Sequence, residues 1–388
     1  MKKWVLSVLM LSMVTLVSAC GNTGGAGSSK TTEATATPAA PAATAAPAAT
    51  AAPAASPSPS QDEPIYVVEG IRDMANAYYA NWIKGGKNYA KSAGIPDDHF
   101  IVIQNQGSSQ KQLADIKAIV AKTKGNVVFN LDPNESADVP AIAKYLGEQN
   151  VPFVTWWNKP EDSSPSQYPS WVMHITFDNY TSGSKMAEEL MKNLKEPYKG
   201  KVIAVQGMLG NTAAIERYNG FKDTIAKHPD VKLVSSQPAD WDENKAFSVV
   251  STQLVSTPDL SGIWCANDQM AMGAIQALKA KNLNGKIPVV GTDGTSQMFE
   301  AIQKGDATAT VVSDSYLQGG LGLAIAVAVK QGKLNLKDLT EDKRSWMAVA
   351  PVITKANVEE MNDQFYVNEP KYDWTNFFDK YQGPIKKK

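Results

Sequence analysis

Histidine and cysteine are scarce in this chain of 388 residues, which holds three of the first and two of the second. His99, His174 and His228 are scattered, and none falls beside a Cys, Asp or Glu arrangement with metal-ligand spacing. Neither a metal nor a cofactor is expected. Two cysteines, Cys20 and Cys265, allow at most one disulfide. An excess of either charge is also missing: 38 Lys and Arg face 39 Asp and Glu, for a formal net charge of −1. That excludes the basic footprint of a nucleic-acid binder. No G-x-S-x-G elbow and no P-loop spacing occurs. The paired carboxylates Asp97-Asp98 lie in a polar turn and read as solvated surface. The early apolar run, Trp4 to Val17, is shorter than the about 20 residues a membrane-spanning helix needs.

What is present at the N-terminus is an address. Lys2 and Lys3 precede the apolar run, and Leu16-Val17-Ser18-Ala19-Cys20 follows. A basic start, a short apolar core and small residues read as a signal peptide over 1–19. The cysteine at the cut resembles the bacterial lipobox, in which the thiol takes a diacylglyceryl group and becomes the new N-terminus. Cys20 is therefore the expected lipidation site. Residues 20–62 are almost wholly Ala, Thr, Pro, Gly and Ser, a composition that cannot offset its own ordering entropy. Such a tether reaches roughly 35 Å on average. It suits a protein held on the outer face of the cell membrane, as in a Gram-positive source, touching the membrane through its lipid alone. Lipidation would leave Cys265 a lone thiol, a buried small hydrophobe in an apolar run.

The remaining length suggests two domains. Short apolar runs at 65–68, 100–103, 126–129 and 152–155 alternate with helix-length segments at 78–92, 110–123 and 137–149. They read as buried parallel strands with crossover helices. The pattern restarts with a helix over 178–194, a strand at 201–205, and further strands at 231–235, 262–266 and 288–291. This predicts an α/β protein of two doubly wound parallel-sheet lobes. Lobe 1 takes 63–177 plus 314–351; lobe 2 takes 178–313 plus 352–388, including an aromatic-rich tail. Ligands of such sheets sit beyond the carboxyl ends of the strands.

Four blocks, GNTAAIERYNGF (210–221), SSQPADWDENKA (235–246), CANDQMAMGAIQAL (265–278) and VVGTDGTSQMFEAIQKG (289–305), resemble in order and spacing the ribose-binding-protein class of type I solute-binding proteins, the capture subunits of ABC sugar importers. Related transcriptional regulators carry a helix-turn-helix where this chain carries the lipobox. The resemblance implies a non-enzymatic, monomeric protein that captures a monosaccharide, polyol or short oligosaccharide by hinge closure and delivers it to an importer permease. Alternatives are a sugar sensor feeding a receptor or sensor kinase, and a surface carbohydrate-active enzyme. The enzyme would need two carboxylates facing across the cleft, and the sequence pairs none.

Ligand-binding candidates follow from the same blocks. Arg217 has a planar fork for ring oxygens or hydroxyls, or else a surface salt bridge with Glu216. Trp241 falls where the family places an aromatic against the sugar ring. Of the pair Asn267-Asp268, Asp268 is the better helix cap, which leaves Asn267 for the cleft. Asp293 follows a strand end directly. In the first lobe Asn76 and Tyr78-Tyr79 match the family's Asn and paired aromatics, with about three extra residues before them; the tyrosines could equally be helix packing. Where the family has an Asp-Arg pair after the fourth strand, this chain has Trp156, Trp157 and Asn158. That departure implies a different or larger ligand, with one tryptophan facing the core by strand alternation. Hinge crossings are expected near 176–179, 312–314 and 352–354, which would bring Ser313 or Asp314 to the ligand.

Overall fold

The computed structural model describes residues 64–385. The Cys20 anchor, the linker to residue 63 and Lys386–Lys388 lie outside the described residues. The chain first runs β1 (Tyr66–Ile71), α1 (Ala77–Ser92), β2 (Phe100–Gln104), α2 (Ser109–Lys122), β3 (Val127–Leu131), α3 (Val139–Glu148), β4 (Phe153–Trp156) and β5 (Trp171–Phe177). It continues through α4 (Asn179–Lys192), β6 (Gly200–Gln206), α5 (Thr212–Ile225), β7 (Val231–Pro238), α6 (Glu243–Ser256) and β8 (Leu260–Cys265). Next come α7 (Asp268–Lys279), β9 (Val289–Val290), α8 (Ser296–Lys304), β10 (Ala309–Val311) and α9 (Ser315–Lys330). The last elements are α10 (Glu341–Arg344), β11 (Ser345–Ala348), β12 (Val352–Thr354), α11 (Val358–Asn362) and β13 (Tyr381–Pro384).

Two sheets form, ordered β13-β11-β5-β4-β3-β1-β2 and β12-β10-β9-β8-β6-β7. Only β13 and β12 run antiparallel to their neighbours. The central strands β3, β4, β5 and β8 are buried almost throughout, as expected where helices cover both faces of a parallel sheet. Lobe 1 buries Val67, Ile71, Val128 and Trp156 on one face of its sheet, and Val68, Val127, Phe129 and Phe153 on the other. Cys265 is fully buried in the lobe 2 core, and burial pushes its thiol pKa up. In both sheets the strand order reverses beside the first strand. β1 lies between β2 and β3, and β6 lies between β7 and β8. A crevice therefore opens above β1/β3 in one lobe and above β6/β8 in the other.

The chain crosses between the sheets after β5, after β10 and after β11. The tail departs from expectation. Residues through Phe365 and Tyr366 pack on the lobe 2 core, but Tyr372, Trp374, Phe377 and Tyr381 pack on lobe 1 and β13 pairs with β11. A fourth crossing therefore lies between 366 and 372, and the tail is not confined to lobe 2. Strand β5 was also unforeseen. Its polar His174 and Thr176 interrupt the apolar run, yet both are buried, with His174 Nδ1 and Thr155 Oγ1 2.9 Å apart.

Helices α4 and α5 meet at glycines. A Cβ on Gly183 would lie 1.9 Å from the Arg217 carbonyl oxygen, and one on Gly220 would lie 2.0 Å from that of Tyr180. Gly183→Ala is expected to push the helices apart and cost about 1–3 kcal/mol. Urea unfolding checks it; an unchanged midpoint would show that α5 yields freely. Among the described residues no helix is long and apolar enough to cross a membrane.

Candidate functional site

The loops at the two switch points face each other across a cleft that both lobes line. Lobe 1 contributes Arg72 and Asn76 after β1, Tyr78 and Tyr79 on α1, Asn105 after β2, Asp132, Pro133 and Asn134 after β3, and Trp157 and Asn158 after β4. Lobe 2 contributes Asn211 after β6, Ala213 and Arg217 on α5, Trp241 after β7, Asn267 after β8, and Asp293 after β9.

Local structure places each group. Asn76 caps α1 by accepting from Tyr78 N at 3.0 Å, which puts Tyr78 and Tyr79 on the first turn, facing the cleft. Asn267, not Asp268, caps α7, accepting from Met270 N at 3.0 Å. Its Nδ2 still reaches Asp293 Oδ2 at 3.3 Å, so one asparagine serves both helix and cleft. Asp268 is turned inward, where Thr295 N and Thr310 Oγ1 donate to it, both at 2.8 Å. Backbone strain gathers here: Trp157, Asp240, Trp241 and Asp293 all have positive φ, at 64°, 53°, 65° and 134°. Bulky residues hold such angles only where their surroundings fix them.

Arg217 is buried rather than on the surface, and it forms an ion pair with Asp293. Its Nε donates to Asn179 Oδ1 at 3.1 Å, and its Nη1 donates to the Ala266 carbonyl at 2.9 Å and to Asp293 at 3.5 Å. The guanidinium lies over Trp157 at 4.8 Å and Trp241 at 5.9 Å. Burial raises the Asp293 pKa, and Arg217 opposes that shift. Asp132 accepts from Tyr79 Oη at 2.6 Å and Asn158 Nδ2 at 3.3 Å. Burial pushes its pKa up to about 7 against those bonds and the nearby Arg72. Arg72 is oriented by donating to Asn134 Oδ1 at 2.8 Å. Two buried polar atoms at the cleft, Asn105 Nδ2 and Asn158 Oδ1, have no hydrogen-bond partner in the protein. Such orphans are uncommon in proteins and call for a partner that the protein itself does not supply.

Three candidates fall outside the cleft. Trp156 is fully buried and donates to Asn130 Oδ1 at 2.8 Å; it is the core member of its pair. Asp314 caps α9, accepting from Leu317 N at 3.0 Å, and also accepts from Tyr372. Ser313 is buried and held by its backbone N–H to the Asp293 carbonyl at 3.0 Å, so its short side chain does not reach the cleft wall. Conversely Arg72, Asn105, Asp132, Asn134 and Asn211 line the cleft and were not singled out from sequence. Each lies one to five residues beyond a strand, which was the available signal.

The lobes touch directly at the cleft mouth. Asn211 holds the N-cap position of α5 but does not cap it. Its Nδ2 instead donates across the cleft to the Asn134 carbonyl at 2.8 Å, and its Oδ1 accepts from Trp241 Nε1 at 2.6 Å. Thr212 N donates to Ser136 Oγ of the opposite lobe at 3.0 Å. In this conformation the side chain that caps α5 thus comes from the opposite lobe. Ser136→Ala should remove about 1 kcal/mol, the worth of a cap, from the closed state alone. The ligand-free protein should then expand measurably in small-angle scattering; an unchanged radius of gyration would count against this latch.

Residues 71–334 match the family described as periplasmic binding protein domain. The chain belongs to that family, in its type I, ribose-binding-protein-like class. It is 31% identical over 266 residues to the D-allose-binding periplasmic protein of Escherichia coli strain K12, covering 68% of this chain and 84% of that one. It is 30% identical over 306 residues to the D-apiose import binding protein of Paraburkholderia graminis, covering 79% and 88%. A crystal structure of a twin-arginine translocation pathway signal protein from Burkholderia phytofirmans superposes with a TM-score of 0.79 at 36% identity, covering 83% and 98%. The family and the two curated relatives are named as binding proteins rather than enzymes.

Proposed function

We propose that this periplasmic binding protein is a lipoprotein, anchored through Cys20, that captures a neutral monosaccharide or polyol between its lobes and delivers it to an ABC importer permease. The lining supports the ligand class. The lining pairs two arginines, Arg72 and Arg217, with two carboxyl groups, Asp132 and Asp293, so charged groups of one kind alone do not dominate it. Its six asparagines supply donors and acceptors together, as hydroxyls require. The aromatic faces of Trp157 and Trp241 suit the C–H faces of a ring. The observation that carries the reading is the orphaned pair, Asn105 Nδ2 as donor and Asn158 Oδ1 as acceptor, within one cleft. The relatives named for D-allose and D-apiose binding agree with it.

Two carboxylates do line the cleft, one per lobe, as a glycosidase would need. Asp293, however, has both oxygens engaged within the protein, Oδ1 by Arg217 and Oδ2 by Asn267. A thermal-shift screen of aldoses, pentitols and inositols tests the function. A binder at 100 times its Kd should add about 2.7 kcal/mol of stability. Stabilisation only by something other than a carbohydrate or polyol would sink the reading. Cys20→Ala should release the protein from the membrane while leaving its binding unchanged.

A further inference from the structure

A second hollow, open to solvent where the exposed Glu161, Asp162 and Ile215 line it, adjoins the first. Trp157 is the one residue common to both linings. Elsewhere the wall between them is one residue thick along the chain. Asn158 faces the inner cleft and Lys159 the outer chamber, and likewise Arg217 and Glu216. Thr212 faces the chamber between the inner-facing Asn211 and Ala213. The wall is closed across the lobes by Thr212 Oγ1, which donates to the Lys159 carbonyl at 2.8 Å.

We infer that Trp157 is the size-determining residue of the site: its indole partitions the space between the lobes and limits the ligand to one ring or one short polyol chain. This rests on the carbohydrate reading above. The side chain is fixed from several directions. Its Nε1 donates to Tyr78 Oη at 3.2 Å, its backbone N–H to the Ile175 carbonyl at 3.2 Å, Phe177 lies 5.2 Å from its ring, and Arg217 covers it. The φ of 64° turns it out of the β4 alternation that leaves Trp156 in the core. A ring so held is a wall and not a gate. Beyond it the chamber offers Asn219, an amide able to meet the hydroxyls of a second unit if the wall were removed. On this inference the tryptophans after β4 limit the ligand's size, where the sequence points to a different or larger ligand.

The test compares the aldoses that bind the wild-type protein with their methyl and phenyl β-glycosides, by calorimetry. The wild type should bind at least one free aldose and lose about 100-fold or more in affinity for its phenyl glycoside. Trp157→Gly, which suits the positive φ, should weaken the free aldose and reduce that discrimination to less than about 10-fold. Trp157→Phe should keep it. Trp157→Leu gives a second, apolar opening of the wall should the glycine variant not fold. Equal affinity of the wild type for an aldose and its phenyl glycoside would overturn the inference, as would folded Gly or Leu variants that keep the wild-type size ranking. Failure of every carbohydrate and polyol to bind the wild type would instead overturn the carbohydrate reading, and the partition with it.

Discussion

Arg217→Ala should cost about 3–5 kcal/mol of stability, the range for stripping one partner from a buried ion pair, and lower carbohydrate affinity by about 10²–10³-fold. The guanidinium holds three structural partners, Asn179, the Ala266 carbonyl and Asp293, and stands between the two cleft tryptophans. Alanine leaves the Asp293 carboxyl buried with only Asn267 beside it. That carboxyl can escape its penalty by taking up a proton, because burial already raises its pKa. The loss should therefore be largest in alkaline solution and shrink as the pH falls. Arg217→Ala combined with Asp293→Asn should recover part of the stability but none of the binding. Urea denaturation at two pH values and titration of tryptophan fluorescence measure both effects. A variant with wild-type stability and affinity would remove Arg217 from the site.

Ligand affinity should rise with pH between about 5 and 8, by less than tenfold per unit. Asp132 keeps its proton up to about pH 7 in the folded protein, against about 3.9 in an unfolded chain. Its folded pKa is raised. Its contribution to stability is therefore full below about pH 4 and is lost as the pH climbs through 7. A sugar hydroxyl donating to the carboxylate would favour the ionised form, as Tyr79 and Asn158 already do. Binding would then expel a proton. Calorimetry in two buffers of different ionisation enthalpy should detect that release, and Asp132→Asn should abolish it. The same variant should gain stability over wild type at pH 8 and not at pH 4. Proton uptake on binding would contradict the role given to Asp132.

Much of lobe 2 was legible because its chemistry is local. Arg217, Trp241, Asn267 and Asp293 sit in short blocks whose strand-end and helix-start signals are written in neighbouring residues. Lobe 1 was harder. Arg72 and Asp132 belong to the cleft because β3 crosses to the far side of β1 from β2, an order that no local pattern encodes. Asn211 misleads for a different reason. It stands where a cap belongs, yet its side chain is spent on the opposite lobe. Ser313 and Asp314 fall at a true crossing, but one is shielded and the other is used as a helix cap.

The sequence by itself determined the two sets of alternating strands and helices, the parallel pairing, and the expectation that function lies past the strand ends. Those follow from hydrophobic period and segment length, which a linear chain displays. The tertiary structure decided which lining residues meet, which of two adjacent tryptophans faces the cleft, and that the tail returns to the first lobe. It also decided that Asn267 rather than Asp268 caps its helix. Each of these depends on what lies opposite in space. A carboxylate is a cap, a core group or a ligand acceptor according to the donors the other strands bring to it.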